Sequence, residues 1–163
     1  MNLRSFNQKV AERKKILRAF LTRLEKKAPN DLDKRAAVLE GEVWMETACL
    51  SCANCCKKMS PTFTETDIAR ISAHLHMTPE AFRDKWLVYD KKDDDWMNRR
   101  QPCQFLDKKT NMCSIYEVRP ADCAGFPHLS KKKWLDYVHV HRQNIEYCPA
   151  TFRMVEKLKE VYT

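Results

Sequence analysis

The chain of 163 residues is 44% hydrophobic and 32% charged, a balance that suits a compact folded protein and excludes a solvated tail or a membrane-embedded bundle. Its net charge is +8, but residues 1–35 carry +7 of it and residues 36–163 only +1, so the excess is local and argues against a chain-wide nucleic-acid footprint. Gly41 and Gly125 are its two glycines, too few to write a G-x-G-x-x-G fingerprint, a P-loop or a G-x-S-x-G elbow.

In chain order, Leu3, Phe6, Val10, Leu17, Phe20 and Leu24 follow a helical spacing and predict an amphipathic helix with a basic outer face. Such a face suits an acidic protein partner through residues 1–35, a nucleic acid or an anionic membrane; the plainer reading is a solvated face whose apolar stripe packs on the rest of the chain. The first residues show no apolar run of signal-peptide length, and no segment reaches the roughly 18–20 apolar residues of a transmembrane helix, so a cytoplasmic address is expected. The turn residues of "APNDLDKR" precede a second stripe, Leu32, Ala36, Leu39 and Val43, which leads into "ACLSCANCCKKMSP", read as a loop.

Beyond it, Thr64 and Asp67 make a capping pair, with Phe63 and Ile68 as a hydrophobic staple and Ile68, Ile71 and Leu75 on one face. Thr78 and Pro79 open another helix, with Phe82, Trp86 and Tyr89 at helical spacing. "WLVYDKKDDDWMNRRQP" reads as a charged surface connection. Next, "CQFL" and "CSIY" flank the polar turn "DKKTN" as a short hairpin, Pro120 and Pro127 bracket Cys123 in a loop, "WLDYVHVH" alternates like a strand, and Phe152, Val155, Leu158 and Tyr162 mark a C-terminal helix.

Eight cysteines punctuate this order: Cys49, Cys52, Cys55, Cys56, Cys103, Cys113, Cys123 and Cys148. In a reducing compartment such density points to metal or catalysis rather than to disulfides. Thiolates are soft anionic ligands that favour zinc or an iron-sulfur cluster over magnesium or calcium. Cys49-x2-Cys52-x2-Cys55 has the spacing of the first three ligands of a bacterial ferredoxin run, and Cys148-Pro149 could supply the remote Cys-Pro. Alternatively, Cys49 and Cys52 pair with Cys103 and Cys113, or with Cys113 and Cys123, around zinc. Adjacent side chains generally point apart, so Cys55 and Cys56 need not serve the same centre. A thioredoxin-like role for Cys49-x2-Cys52 lacks the required βαβ setting. Arg119 is a candidate second-layer cation or, equally, a partner of Glu117 or Asp122 in an ordinary turn, and His128, His139 and His141 are candidate packing or surface residues, with His139 and His141 on one strand face.

The segments "CLSCANCC", "PCQFLDKKTNMCSIYEVRPADCAGFP" and the later "CP" together resemble the YkgJ-type cysteine-cluster family, a zinc- or iron-chelating domain summarised as CxxCxxCC. The resemblance covers about residues 48–150. It implies that Cys49, Cys52, Cys55, Cys56, Cys103, Cys113 and Cys123 are metal ligands, with Cys148 as an addition. Ala53 stands where many members carry glycine, and Ala124 where arginine often follows the cysteine.

The resulting expectation is an α+β fold: a small metal-stabilised cysteine-cluster domain over residues 48–163, with irregular loops, a short hairpin and flanking helices, behind a basic helical extension over residues 1–47. Its expected function is metal binding through thiolates, as zinc or an iron-sulfur cluster. An iron-sulfur redox enzyme or electron carrier, and a zinc-stapled adaptor using the basic helix, are the alternatives. No catalytic residue, enzyme class or oligomeric state follows from the sequence.

Overall fold

A computed structural model describes residues 2–131 and 133–163. In chain order the elements are α1 (Leu3–Lys26), α2 (Leu32–Glu46), α3 (Cys49–Cys52), α4 (Asn54–Lys58), β1 (Thr62–Phe63), α5 (Glu65–His74), α6 (Pro79–Trp86), β2 (Leu87–Asp90) and β3 (Asp95–Asn98). They continue as α7 (Ala121–Gly125), α8 (Val138–Asn144) and α9 (Pro149–Val161), with short 3-10 turns at Tyr116–Val118 and Trp134–Tyr137. The fold is α+β and divides into two compact units: a helical one made by the chain up to Cys52 with Pro127–Thr163, and a mixed one, Ala53–Phe126.

In the helical unit, α1 begins at Asn2, whose side chain accepts the N–H groups of Arg4 and Ser5 and so satisfies two of the otherwise orphaned first-turn donors. The stripe Phe6, Val10, Leu17, Phe20 and Leu24 is buried, with Leu21 beside it, and α1 packs on α8 and α9. Phe6 meets Phe152 edge-on at 5.7 Å. Leu32, Ala36, Leu39 and Val43 of α2 are likewise buried, facing α9. Part of the basic face of α1 is paired at the surface of the unit: Arg13 with Glu156, and both Lys14 and Arg18 with Glu146. Arg142 reaches Glu25 at 2.9 Å, which ties α8 back to α1.

The segment "WLDYVHVH" is not a strand. It forms the 3-10 turn and α8, because Val138, His141 and Ile145 occupy one helical face and are buried together, a period hidden beneath the local Val-His alternation. His139 is consequently exposed, whereas His141 lies at 0% exposure, stacked on Trp134 with centroids 4.3 Å apart. Neither ring nitrogen of His141 has a hydrogen-bond partner, and burial, reinforced by the charges of His128 and His139, pushes its pKa down to about 4.

An unfolded histidine titrates near 6.5, so below that pH the unfolded chain binds a proton that the fold refuses. Stability is therefore expected to hold above about pH 6.5 and to fall by about 3 kcal/mol as the pH drops toward 4. Urea unfolding of the wild type and His141→Phe across this range should show a flatter profile for the variant.

The mixed unit starts with the two sequence-encoded helix starts. Thr64 accepts from the Asp67 N–H at 3.1 Å while Asp67 accepts from the Thr64 N–H at 3.0 Å, a complete capping box, and the Thr78 hydroxyl accepts from Ala81 N–H ahead of Pro79. The unit's core gathers Phe63, Ile68, Ile71, Phe82, Leu87, Phe105 and Ile115, with Cys103 and Cys113 packed against it.

The stretch expected to be a plain surface connection instead forms the β2–β3 hairpin. Its register pairs Tyr89 with Trp96, whose rings meet at 5.1 Å, and β1 adds on the other side of β3 to give the order β1-β3-β2. Tyr89 accordingly leaves the helical face shared by Phe82 and Trp86, since α6 ends at Trp86. The hairpin expected between "CQFL" and "CSIY" reduces to one antiparallel bridge, Leu106 to Cys113. Two apolar neighbours and a polar turn suffice to reverse the chain but not to extend a ladder.

Candidate metal centre

The cysteine run expected as a loop is two helical turns, α3 and α4, joined at Ala53. Ala53 adopts φ 46° and ψ 23°, the left-handed region where an L-residue with a Cβ is strained. That geometry explains the glycine expected at this position. Ala53→Gly is expected to stabilise the chain by about 0.5 kcal/mol, because relief of a left-handed penalty of about 1–2 kcal/mol exceeds the roughly 0.4–1 kcal/mol of added unfolded-state entropy. Urea unfolding of the two proteins checks it.

The unit boundary falls within the same motif. Cys49, Cys52 and Cys148 belong to the helical unit, and Cys55, Cys56, Cys103, Cys113 and Cys123 to the mixed one. In the mixed unit α4 presents the two vicinal sulfurs, and despite the expectation that neighbours diverge, Cys55 Sγ and Cys56 Sγ are 4.0 Å apart. In a tetrahedral zinc–thiolate site with bonds of about 2.3 Å, sulfurs stand about 3.8 Å from each other.

The remaining three are brought in by backbone bonds. Cys103 N–H donates to the Cys56 carbonyl at 2.8 Å. The chain then turns at Asp107, whose carboxylate accepts the Lys109 N–H at 2.8 Å, and Ser114 N–H donates to the Phe105 carbonyl at 2.8 Å, which returns Cys113 beside its starting point.

Cys123 sits on α7, in a segment held at three points. Asp67 Oδ1 accepts the Ala121 N–H at 3.0 Å, Arg70 donates to the Arg119 carbonyl at 2.9 Å, and Asp122 Oδ2 accepts the Thr62 N–H at 3.1 Å. Arg119 itself lies over the Tyr116 ring at 4.0 Å and donates to the Tyr116 carbonyl at 2.7 Å.

The thiols feel one another's charge. Burial pushes the Cys103 thiol up and the charges of Cys56 and Cys113 add to it, against the Phe105 N–H and the Asn98 side chain, which favour its thiolate. Burial also raises Cys113, helped by Cys56 and opposed by the Ile115 N–H and the Arg119 charge. Cys123 is raised furthest, by burial and then by Cys56, Cys103, Asp122 and Cys113. Cys56 runs the other way: its contact with Cys55, followed by its own backbone N–H and the Lys57 charge, lowers it to about 7 despite burial.

Buried thiols raised further by a neighbouring thiolate, as Cys103, Cys113 and Cys123 are by Cys56, are groups whose ionisation a bound cation favours. Backbone N–H groups two residues after Cys103 and after Cys113 meanwhile stand ready to support thiolates. The donor set therefore fits a soft metal. Among the described residues no three His, Cys, Asp or Glu side chains are grouped so as to hold an ion as they stand.

In the helical unit Cys49 is exposed and Cys52 and Cys148 are buried. Cys148 precedes Pro149 at the start of α9; burial raises its thiol to about 11, the Thr151 and Ala150 N–H groups pull down, and the Cys49 charge raises it further. Sequence reasoning found the cysteines and missed their supports. Asp67 was visible only as a cap, and Asn98, Arg70 and Gln104 carry no local signal. No described helix is long and apolar enough to cross a membrane.

Residues 48–149 match the CxxCxxCC family model, described as "Putative zinc- or iron-chelating domain". An uncharacterized protein of Methanocaldococcus jannaschii is 32% identical over 81 residues, which make up 49% of this chain and 43% of that protein, so the match spans less than half of the relative's length. No solved structure matches the chain.

Proposed function

The chain belongs to the CxxCxxCC zinc- or iron-chelating family, and from that premise we propose that its mixed unit binds zinc through the thiolates of Cys56, Cys103, Cys113 and Cys123, with Cys55 as a fifth, adjacent thiol. The observation that carries this reading is that the Cys56 charge raises the thiols of Cys103, Cys113 and Cys123, while the Cys103 N–H donates to the Cys56 carbonyl at 2.8 Å, so that separate stretches of chain meet around α4. Zinc suits four soft anionic donors and, when bound, supplies a structural cross-link. The chain's own residues do the rest. Asp67, Arg70 and Asp122 hold the Cys123 segment, the Phe105 and Ile115 N–H groups favour thiolates at Cys103 and Cys113, and the apolar core packs against Cys103 and Cys113. Because burial holds most of these thiols protonated, metal uptake releases protons and strengthens as the pH rises.

An iron-sulfur cluster with a redox or electron-carrying role is the second reading. The N–H groups directed at Cys103 and Cys113 favour it, since such donors tune cluster potentials. Cys49, Cys52 and Cys148 are the remaining candidate ligands, all in the helical unit. An acidic partner for residues 1–35 draws less support, because Arg13, Lys14 and Arg18 are engaged by Glu156 and Glu146.

Metal analysis with electron paramagnetic resonance on anaerobically isolated full-length protein separates the readings. A colourless protein with one or more equivalents of zinc supports the first, and a brown, paramagnetic reduced form the second. A protein that takes up neither metal overturns both.

A further inference from the structure

The mixed unit contains a buried donor that makes no regular hydrogen bond to the folded chain. Asn98 ends β3 opposite Leu87 and is 6% exposed. Its backbone N–H donates to Ser60 Oγ at 2.8 Å. Its side-chain oxygen accepts Gln104 Nε2 at 2.8 Å, and the same Nε2 donates to the Trp86 carbonyl at 3.1 Å. Gln104 Nε2 has no lone pair to offer, so this bond fixes which end of the Asn98 carboxamide is oxygen and turns Nδ2 the other way.

Nδ2 is buried there without a hydrogen-bond partner. A buried N–H left in this state is costly, and a group recruited by a metal centre beside it is one of the circumstances in which a native fold keeps one. The neighbouring acceptor is the sulfur of Cys103, the residue next to Gln104, whose thiolate the Asn98 side chain favours. A protonated thiol is a poor acceptor, whereas a metal-bound thiolate is a good one.

We propose that Asn98 is a positioning residue of the metal centre, donating an N–H···S hydrogen bond to the metal-bound thiolate of Cys103 while Gln104 and Ser60 hold its carboxamide in register. This rests on the thiolate-centre reading and deepens it. Outer-layer donors of this kind fix the orientation of a ligand and withdraw electron density from it.

The test loads full-length protein anaerobically with Co(II), then titrates with Zn(II). Asn98→Asp keeps the side chain's shape but replaces the N–H with an acceptor beside the thiolate, and Asn98→Ala removes the group. Both are expected to weaken Co(II) and Zn(II) binding by roughly 10–100-fold. The sulfur-to-cobalt charge-transfer band of Asn98→Ala should move to longer wavelength, because a thiolate without its donor is more electron-rich. Gln104→Leu, which frees the carboxamide to rotate, should shift the band in the same direction by less.

Thr78→Ala removes a helix cap in the same unit, and it should lower the melting temperature without moving the band. That control separates a role at the metal from a loss of stability alone. Wild-type affinity and spectrum in both Asn98 variants would overturn the inference; should neither variant fold, an unmoved Gln104→Leu spectrum would do so. A wild-type protein that binds neither ion overturns the thiolate-centre reading instead.

Discussion

Cys103→Ser and Cys113→Ser are each expected to strip the mixed unit of its metal and leave it largely unfolded at room temperature. Residues 53–126 bury a small core with Cys103 and Cys113 among the residues packed against it. Units below about 80 residues rarely gain more than about 3–5 kcal/mol from such a core, whereas a structural zinc site contributes about 10–16 kcal/mol of apparent binding energy at neutral pH. Serine is close in size to cysteine but binds soft metals poorly, so lost packing is minor beside the lost ligand. Zinc content by mass spectrometry and thermal unfolding followed by circular dichroism measure the two effects. Unchanged zinc content and melting in both variants would remove Cys103 and Cys113 from the centre.

Asp67→Ala should be the most damaging substitution away from the sulfurs, destabilising the mixed unit by about 3 kcal/mol or more. Asp67 is 1% exposed and accepts from the Thr64 N–H and hydroxyl, from Ala121 N–H and, at 2.6 Å, from Arg70. The hydrogen bonds to the carboxylate lower its pKa against the opposing effect of burial. Truncation strands the Thr64 and Ala121 N–H groups, each costing about 1–3 kcal/mol if buried without a partner, and releases the segment that carries Cys123. Thr64→Ala removes one side of the capping box but leaves the Ala121 bond, so it should cost about 1 kcal/mol. Chemical denaturation of the two variants gives the comparison, and equal losses would show that Asp67 acts as a helix cap alone.

Local patterns carried far where local physics decides the outcome. Thr64 and Asp67 announced a capping box, Thr78-Pro79 announced the start of α6, and the stripes of α1 and α2 announced their buried faces, because caps and amphipathic periods act over a few residues. The strand expected at "WLDYVHVH" failed because burial of Val138, His141 and Ile145 outweighed a local alternation of valine and histidine. The β2–β3 hairpin was hidden by its charged turn, since the Tyr89–Trp96 pair that secures it appears only across the strands.

By itself the sequence determined the chemistry: eight thiols, soft and anionic when ionised, in a spacing that belongs to a zinc- or iron-chelating family. Only the tertiary structure decided which of them share a neighbourhood. It split the cysteine run between two units at Ala53 and placed Cys55, Cys56, Cys103, Cys113 and Cys123 in the mixed one. It also tied Asp67 and Arg70 to the segment that carries Cys123, and Asn98 to Gln104 beside Cys103. The reason is physical. A ligand's identity is written in one residue, but its position is set by hydrogen bonds and packing between residues far apart in the chain, and those have no local signature.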